Sequence, residues 1–162
     1  MKTNFEWGDT VIDSRDIIAR HDELMDEYTF LIDTLKDLEL ELSQLVKVNG
    51  DPSDINKLES ACAVASEELN DYDEEELKIL QEVVDECDGR SDWSRGEQLI
   101  HESYFVNYIK NQIEECYEVP KELTSGKWPW SHMTIDYESA AEEALADYYE
   151  ITVEGEIYYI QA

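Results

Sequence analysis

Carboxylates are the residues of this sequence whose number and spacing could support chemistry. There are 41 aspartates and glutamates against 12 lysines and arginines, which gives a formal net charge of -29. Two carboxylates at a suitable separation act as the acid and base of glycoside hydrolysis. With so many acids, some pair reaches any such separation by chance, so paired carboxylates alone do not indicate an enzyme.

The histidines and cysteines form no catalytic or metal-binding pattern. His21 falls within an apolar helical pattern, and His101 and His132 are isolated, so core or surface roles are favoured over catalytic ones. The sequence contains no G-x-S-x-G, H-E-x-x-H or P-loop motif. No two histidines or cysteines share the spacing of zinc ligands. We therefore predict no enzymatic activity, no bound metal and no cofactor.

One group of acids has part of the spacing of a calcium-binding loop. Its members occupy loop positions 1, 3, 5 and 12, and they are Asp71, Asp73, Glu75 and Glu82. The sixth position of such a loop requires glycine for a sharp turn, and Glu76 stands there. A solvated acidic face is therefore favoured over a calcium site.

The distribution of the acids predicts a surface that binds a basic partner. Residues 59–88 contain 12 acids and the single base Lys78, and 8 acids follow Trp128 without any lysine or arginine. Solvated helices ordinarily offset such repulsion with lysines at i,i+4 positions. The predicted partner-binding acids are Glu59, Glu67, Glu68, Asp71, Asp73, Glu74, Glu75, Glu76, Glu82, Asp85, Glu86, Asp88, Glu142 and Glu143.

The charge and the hydropathy also exclude several classes of partner. A strongly negative protein repels nucleic acid and anionic membranes, so direct contact with either is not expected. No window reaches the roughly 18 apolar residues of a membrane span. Cys62, Cys87 and Cys116 lie in apolar helical patterns, which predicts reduced core thiols and a cytoplasmic location.

A long helix over residues 13–48 is the main element that must position these acids. Apolar residues recur there every seven positions, at Ile17, Leu24, Leu31, Leu38 and Leu45. A second helical region over residues 54–88 should break near 70–73, where Asp73 and Glu76 have the spacing of a capping box. Arms of similar length joined by a short turn predict an antiparallel coiled-coil hairpin in a domain over 1–88. The apolar stripe is wider than two helices need, which leaves a homodimer open.

The C-terminal part is predicted to be a small α+β unit over residues 97–162, after a linker over 89–96. Its pattern indicates a helix over about 101–117, a loop in which Trp128 and Trp130 plug a small core, and a helix over about 137–147. A β-hairpin over 149–160 should turn at Glu154 and Gly155. The predicted fold class is therefore mainly α, of the α+β type.

Several residue runs resemble an acidic family of phage and prophage proteins that are commonly labelled antirestriction proteins of the ArdA type. The residues that carry the resemblance are Asp13, Ser14, Arg15, Asp16, Ile17, Ile18, Ala19, Arg20, Leu99, Ile100, Tyr104, Phe105, Tyr108, Trp128, Pro129, Ile135, Asp136, Tyr137, Ala140, Ala141, Asp147, Tyr148, Gly155 and Tyr158. The resemblance is strongest over 99–160, whereas the long N-terminal hairpin lies outside the ArdA pattern. It implies a DNA mimic that occupies the DNA-binding groove of a host defence enzyme in the cytosol.

Two functions agree with these observations. Duplex DNA carries about two charges per base pair, so a net charge of -29 corresponds to about 14 base pairs. The first function is an acidic DNA mimic, encoded by a phage or mobile element, that inhibits a restriction-modification or CRISPR effector. The alternative is a non-enzymatic acidic adaptor or scaffold that binds a basic protein.

Overall fold

The computed structural model describes residues 5–89 and 92–162, which are mainly helical with a small antiparallel sheet. The helices are α1 (Ser14–Lys47), α2 (Pro52–Asn70), α3 (Glu74–Cys87), α4 (Trp93–Gly96), α5 (Glu102–Cys116), α6 (Lys121–Thr124) and α7 (Tyr137–Ala144). The strands are β1 (Val11–Asp13), β2 (Gln98–His101), β3 (Tyr148–Val153) and β4 (Glu156–Gln161). Within these residues, no helix is both long and apolar enough to cross a membrane.

The chain divides into two compact units. The first consists of Met1–Ile17 with Val83–Ala162, and the second is Ile18–Glu82. The first unit includes the N-terminal residues because β1 pairs with β2, so its composition differs from the predicted domains 1–88 and 97–162. Much of the predicted linker 89–96 is α4, whose Trp93 is buried, while residues 90 and 91 lie outside the described residues.

The long helix predicted from the seven-residue spacing is present as α1. In its N-terminal part Ile17, His21 and Leu24 are buried, as expected for positions on the apolar face of a coiled coil. Leu31, Leu38 and Leu45, the later leucines of the seven-residue spacing, are only half-buried. The helix ends at a turn in which Asn49 has a φ of 52° and the Gly50 N–H donates to the Leu45 carbonyl at 2.9 Å. This long N-terminal helix is consistent with the predicted hairpin.

The second helical region is broken where its sequence predicts. Helix α2 ends at Asn70 and α3 begins at Glu74, because an aspartate-rich segment favours caps and turns over helix interior. The cap of α2 is Asp51, whose carboxylate accepts from the Ser53 N–H at 2.7 Å, so this helix begins two residues before the predicted start at residue 54. Pro52 at the first helical position makes this earlier start favourable.

The sheet has the strand order β1-β2-β4-β3, and all its neighbours are antiparallel. The predicted β-hairpin is present as β3 and β4. Its turn residues Glu154 and Gly155 are both at positive φ, as a tight hairpin turn requires. Strands β1 and β2 were not predicted. They have only three and four residues, which is too short for a two-residue period to be distinguished from a helical one.

Helices α5 and α7 cover this sheet with a small apolar core. Phe105 lies at its centre, with its ring 5.0 Å from that of Tyr148 and 4.9 Å from that of Tyr159, both edge to face. The tryptophans of the following loop do not plug this core. Trp128 is 81% exposed and Trp130 38%, so that prediction is wrong.

The buried side chain of Ser14, the first residue of α1, is hydrogen-bonded at both ends of α4. The Ser14 hydroxyl is fully buried; it donates to the Trp93 carbonyl at 2.6 Å and accepts from the Glu97 N–H at 2.8 Å. The backbone N–H of Ser14 also donates to the Glu97 carbonyl at 2.8 Å. These three bonds hold residues that are more than 75 positions apart in sequence against each other.

Candidate functional site

The acids of residues 59–88 occupy α2, the break after it and α3. Ten of the twelve are exposed, and the two that are half-buried are Glu74 and Glu76. The structure therefore presents most of the predicted carboxylates to solvent, and Glu74 and Glu76 contact side chains of the same unit.

Glu76 forms an ion pair with Arg20 of α1. Both carboxylate oxygens accept from the guanidinium, from Nε and from Nη2, each at 2.8 Å. This hydrogen bonding lowers the pKa of the Glu76 carboxyl and raises that of Arg20. Glu76 was predicted to close a capping box with Asp73, but a bidentate charged partner is the stronger attraction. Asp73 instead caps α3 by accepting from the Glu75 N–H at 3.0 Å.

Glu74 is also engaged by side chains of the same unit. It accepts from the Tyr28 hydroxyl at 3.0 Å, and its other oxygen lies 2.9 Å from the Lys78 ammonium. Hydrogen bonds from Lys78 and Tyr28 lower the pKa of its carboxyl. The ring of Tyr28 lies 5.3 Å from that of Tyr72, whose hydroxyl donates to the Leu24 carbonyl at 2.9 Å. Glu74 therefore helps to hold α3 against α1.

The Glu76→Gln variant should be less stable than the parent by about 1 kcal/mol at pH 7, because Arg20 loses its bidentate charged partner and keeps the single contact with Glu23. The lowered pKa of Glu76 means that this stabilisation is complete above its ordinary pKa of 4.5 and is lost as the pH falls through the lowered value. Urea denaturation should show the difference at pH 7 and a smaller one in acid. The control is Glu75→Gln, which removes an equal charge from an exposed position; equal destabilisation by both variants would contradict the assignment.

Most bases of residues 18–82 are already paired with acids. This unit contains 19 acids against 5 bases, hence a net charge of -14. The bases that form ion pairs within it are Arg20, Lys36, Lys57 and Lys78. Among residues 5–89 and 92–162, no ion pair includes Glu67, Glu68 or Glu82. These exposed carboxylates are therefore not neutralised by an ion pair within the described part of the chain.

The spacing of the exposed acids on α2 resembles that of phosphates. Asp71, at the C-terminal end of the helix, follows Glu67 by four positions and Glu68 by three. Residues with this separation on a helix lie about 5–6 Å apart. Neighbouring phosphates on a nucleic-acid strand have a comparable spacing, so the exposed end of α2 presents charge in a similar pattern.

The remaining predicted acids belong to the other compact unit. Asp85, Glu86 and Asp88 are exposed at the end of α3, and Glu142 and Glu143 are exposed on α7. These five acids therefore form a separate set from those of residues 18–82.

His21 and His101 have structural partners. His21 Nε2 lies 2.7 Å from Gln81 Oε1. His101 is the N-cap of α5: its Nδ1 accepts from the Ser103 N–H at 3.2 Å, and its Nε2 lies 2.7 Å from Glu156. Sequence reasoning missed this cap because histidine is not among the usual capping residues.

No metal site is evident in the part of the chain that the structure describes. No group of three or more histidines, cysteines or acids there is placed to hold an ion. Glu75 and Glu82, which had the spacing of calcium ligands, lie on helix α3 instead of in a loop. Of the three cysteines expected in a core, Cys87 is buried, Cys62 is half-buried and Cys116 is exposed, so the prediction fails for Cys116. The three cysteines form no disulfide with one another.

No protein-family model, curated protein or solved structure proves similar to this chain.

Proposed function

We propose that this chain is a non-enzymatic inhibitor that mimics DNA and occupies the DNA-binding groove of a bacterial defence enzyme. The target is a restriction-modification enzyme or a CRISPR effector in the host cytosol, which makes the chain an antirestriction or anti-CRISPR protein of a phage or mobile element. The observation that carries the proposal is the row of exposed carboxylates over residues 59–82, in a unit where four of the five bases are already paired with acids.

The mechanism follows from the electrostatics of such a row. The field of a highly charged surface steers an oppositely charged partner and raises the association rate. The lysines and arginines of a DNA-binding groove displace the cations that are condensed around phosphates. They would displace the cations held around carboxylates of similar spacing in the same way. The net charge of -14 over residues 18–82 matches about seven base pairs of duplex.

Competition with DNA is the test of this function. Tagged protein is used to capture partners from host lysate at low and high salt, and each captured nuclease is purified. Increasing protein should then displace labelled duplex DNA from the nuclease, and the apparent affinity should fall steeply with added salt. A nuclease that keeps its DNA at saturating protein would contradict mimicry.

The helical hairpin is the scaffold that we propose for these acids. It is supported by the contact of Tyr28 of α1 with Tyr72, which lies in the break between α2 and α3, and by the turn at Gly50. Spin labels at Asp37 and Ala63, in a variant without native cysteines, should lie within about 20 Å of each other. If the two helices pointed away from each other, these residues would be about 40 Å apart at 1.5 Å per residue. A measured distance of about 40 Å would therefore contradict the hairpin.

An acidic adaptor is the second candidate, because α1 and α2 retain apolar surface. Leu31, Leu35 and Leu38 are only half-buried, and Phe30 is 70% exposed, which leaves room for a further helix from a partner or a second copy. An adaptor would capture basic proteins without displacing DNA from any of them. The competition experiment therefore separates the two functions.

A further inference from the structure

A groove of about 1120 Å³ lies in the C-terminal unit, well apart in sequence from the acids of residues 59–88. Its walls are the end of α5, the connection to α6, α6 itself and the segment that leads into α7. The Tyr137 hydroxyl donates to Glu114 at 2.9 Å, which joins two of these walls. The groove is therefore a feature of the folded unit and is built from residues 114–137.

The groove exposes large apolar side chains. Tyr117 is 71% exposed and Met133 51%, and both line it. Val119, Leu123 and Ile135 line it as half-buried residues. Large exposed apolar side chains that converge in one concavity are typical of protein-interaction sites, whereas single scattered ones are not. Methionine and tyrosine also adapt well to partner side chains.

Carboxylates line the same groove. Glu114, Glu115, Glu118 and Glu122 contribute four negative charges against the single positive charge of Lys121. A ligand that fills the groove must therefore carry positive charge beside an apolar face. The acid content excludes nucleic acid and anionic lipid, and a second copy of a chain with a net charge of -29 would be repelled.

We infer that this groove binds a basic amphipathic segment of a partner protein, with apolar side chains seated between Tyr117 and Met133 and lysines or arginines facing the glutamates. Helix-in-groove recognition has this chemistry. The apolar contacts are insensitive to salt, whereas attraction to the acids of residues 59–88 is screened. The groove would thus select among the many basic proteins that the negative charge of the chain attracts. This selection does not depend on whether the acids of residues 59–88 mimic DNA.

The test uses a labelled amphipathic helical peptide of leucine and lysine, about 14 residues long, as the probe. Its affinity for the full chain is measured by fluorescence anisotropy in about 0.5 M salt, where charge attraction is largely screened. Replacing both Tyr117 and Met133 with serine should weaken binding about 10-fold or more. A photo-crosslinking version of the peptide should attach to residues 114–137 of the unaltered protein.

The matched control replaces Phe30 and Val64 with serine, since these are 70% and 55% exposed but lie in the other unit. This variant should change the affinity less than twofold, and a scrambled peptide of equal composition should bind more weakly. Equal losses in the two variants, or crosslinks outside the groove, would overturn the inference. A dimer in sedimentation that the Tyr117 and Met133 changes dissociate would also overturn it, because a second copy would then fill the groove. No nuclease or DNA enters these measurements, so their outcome is independent of DNA mimicry.

Discussion

Replacing Glu67, Glu68, Glu75 and Glu82 together with glutamine should weaken binding to the target nuclease by about 30- to 1,000-fold at physiological salt. Each of these carboxylates is exposed, and an exposed charge contact contributes roughly 0.5–1 kcal/mol. Any single replacement should therefore weaken binding by less than about fivefold. The fold should persist, because the change relieves repulsion between like charges without touching the bonds of Glu74 and Glu76.

The measurements are the nuclease affinity and its salt dependence. The slope of log affinity against log salt should become shallower in the quadruple variant, since fewer counterions are released. The control neutralises four exposed acids of α1 instead, Asp26, Asp37, Glu39 and Glu41, and so changes the net charge equally. If the Glu67, Glu68, Glu75 and Glu82 variant inhibits as strongly as the parent, the row over residues 59–82 has no part in the mechanism. Equal losses in both variants would assign the binding to net charge.

Ser14→Ala should destabilise the unit that contains the sheet by about 2–4 kcal/mol. The substitution leaves the Trp93 carbonyl and the Glu97 N–H without their buried hydroxyl partner, and each unsatisfied group costs about 1–3 kcal/mol. Urea denaturation reports the loss of stability. Hydrogen exchange at the Glu97 amide supplies a local measurement, and that amide should exchange at least about 30-fold faster.

The control for this prediction is Ser43→Ala on the same helix. The Ser43 hydroxyl is exposed and donates to the Leu40 carbonyl at 3.1 Å, so its removal should change the stability by no more than about 0.5 kcal/mol. If Ser14→Ala is equally mild, then water satisfies the two groups and the serine does not hold α4 in place.

The local elements of this protein could be predicted from the sequence where their patterns are long or their turns are strong. A seven-residue apolar spacing sustained over α1, the aspartate-rich break at 71–73 and the turn at Glu154 and Gly155 all act through neighbours in the chain. The start of α7 also follows from local chemistry, because Asp136 directly precedes the predicted helix and caps it by accepting from the Ser139 N–H. The excess of acids that motivates the proposed function is likewise a property of composition.

Contacts between distant residues decided the rest. Strands β1 and β2 are only three and four residues long, and they exist because Ile12 and Ile100 find partners far along the chain. The sequence could not show which of Glu75 and Glu76 forms an ion pair, because the pair of Glu76 depends on the approach of Arg20 in the folded chain. Nor could it show that Trp128 is exposed or that Tyr117 and Met133 meet in one groove. Periodicity reports which face of a helix is apolar, whereas burial and pairing depend on which other face the folded chain brings against it.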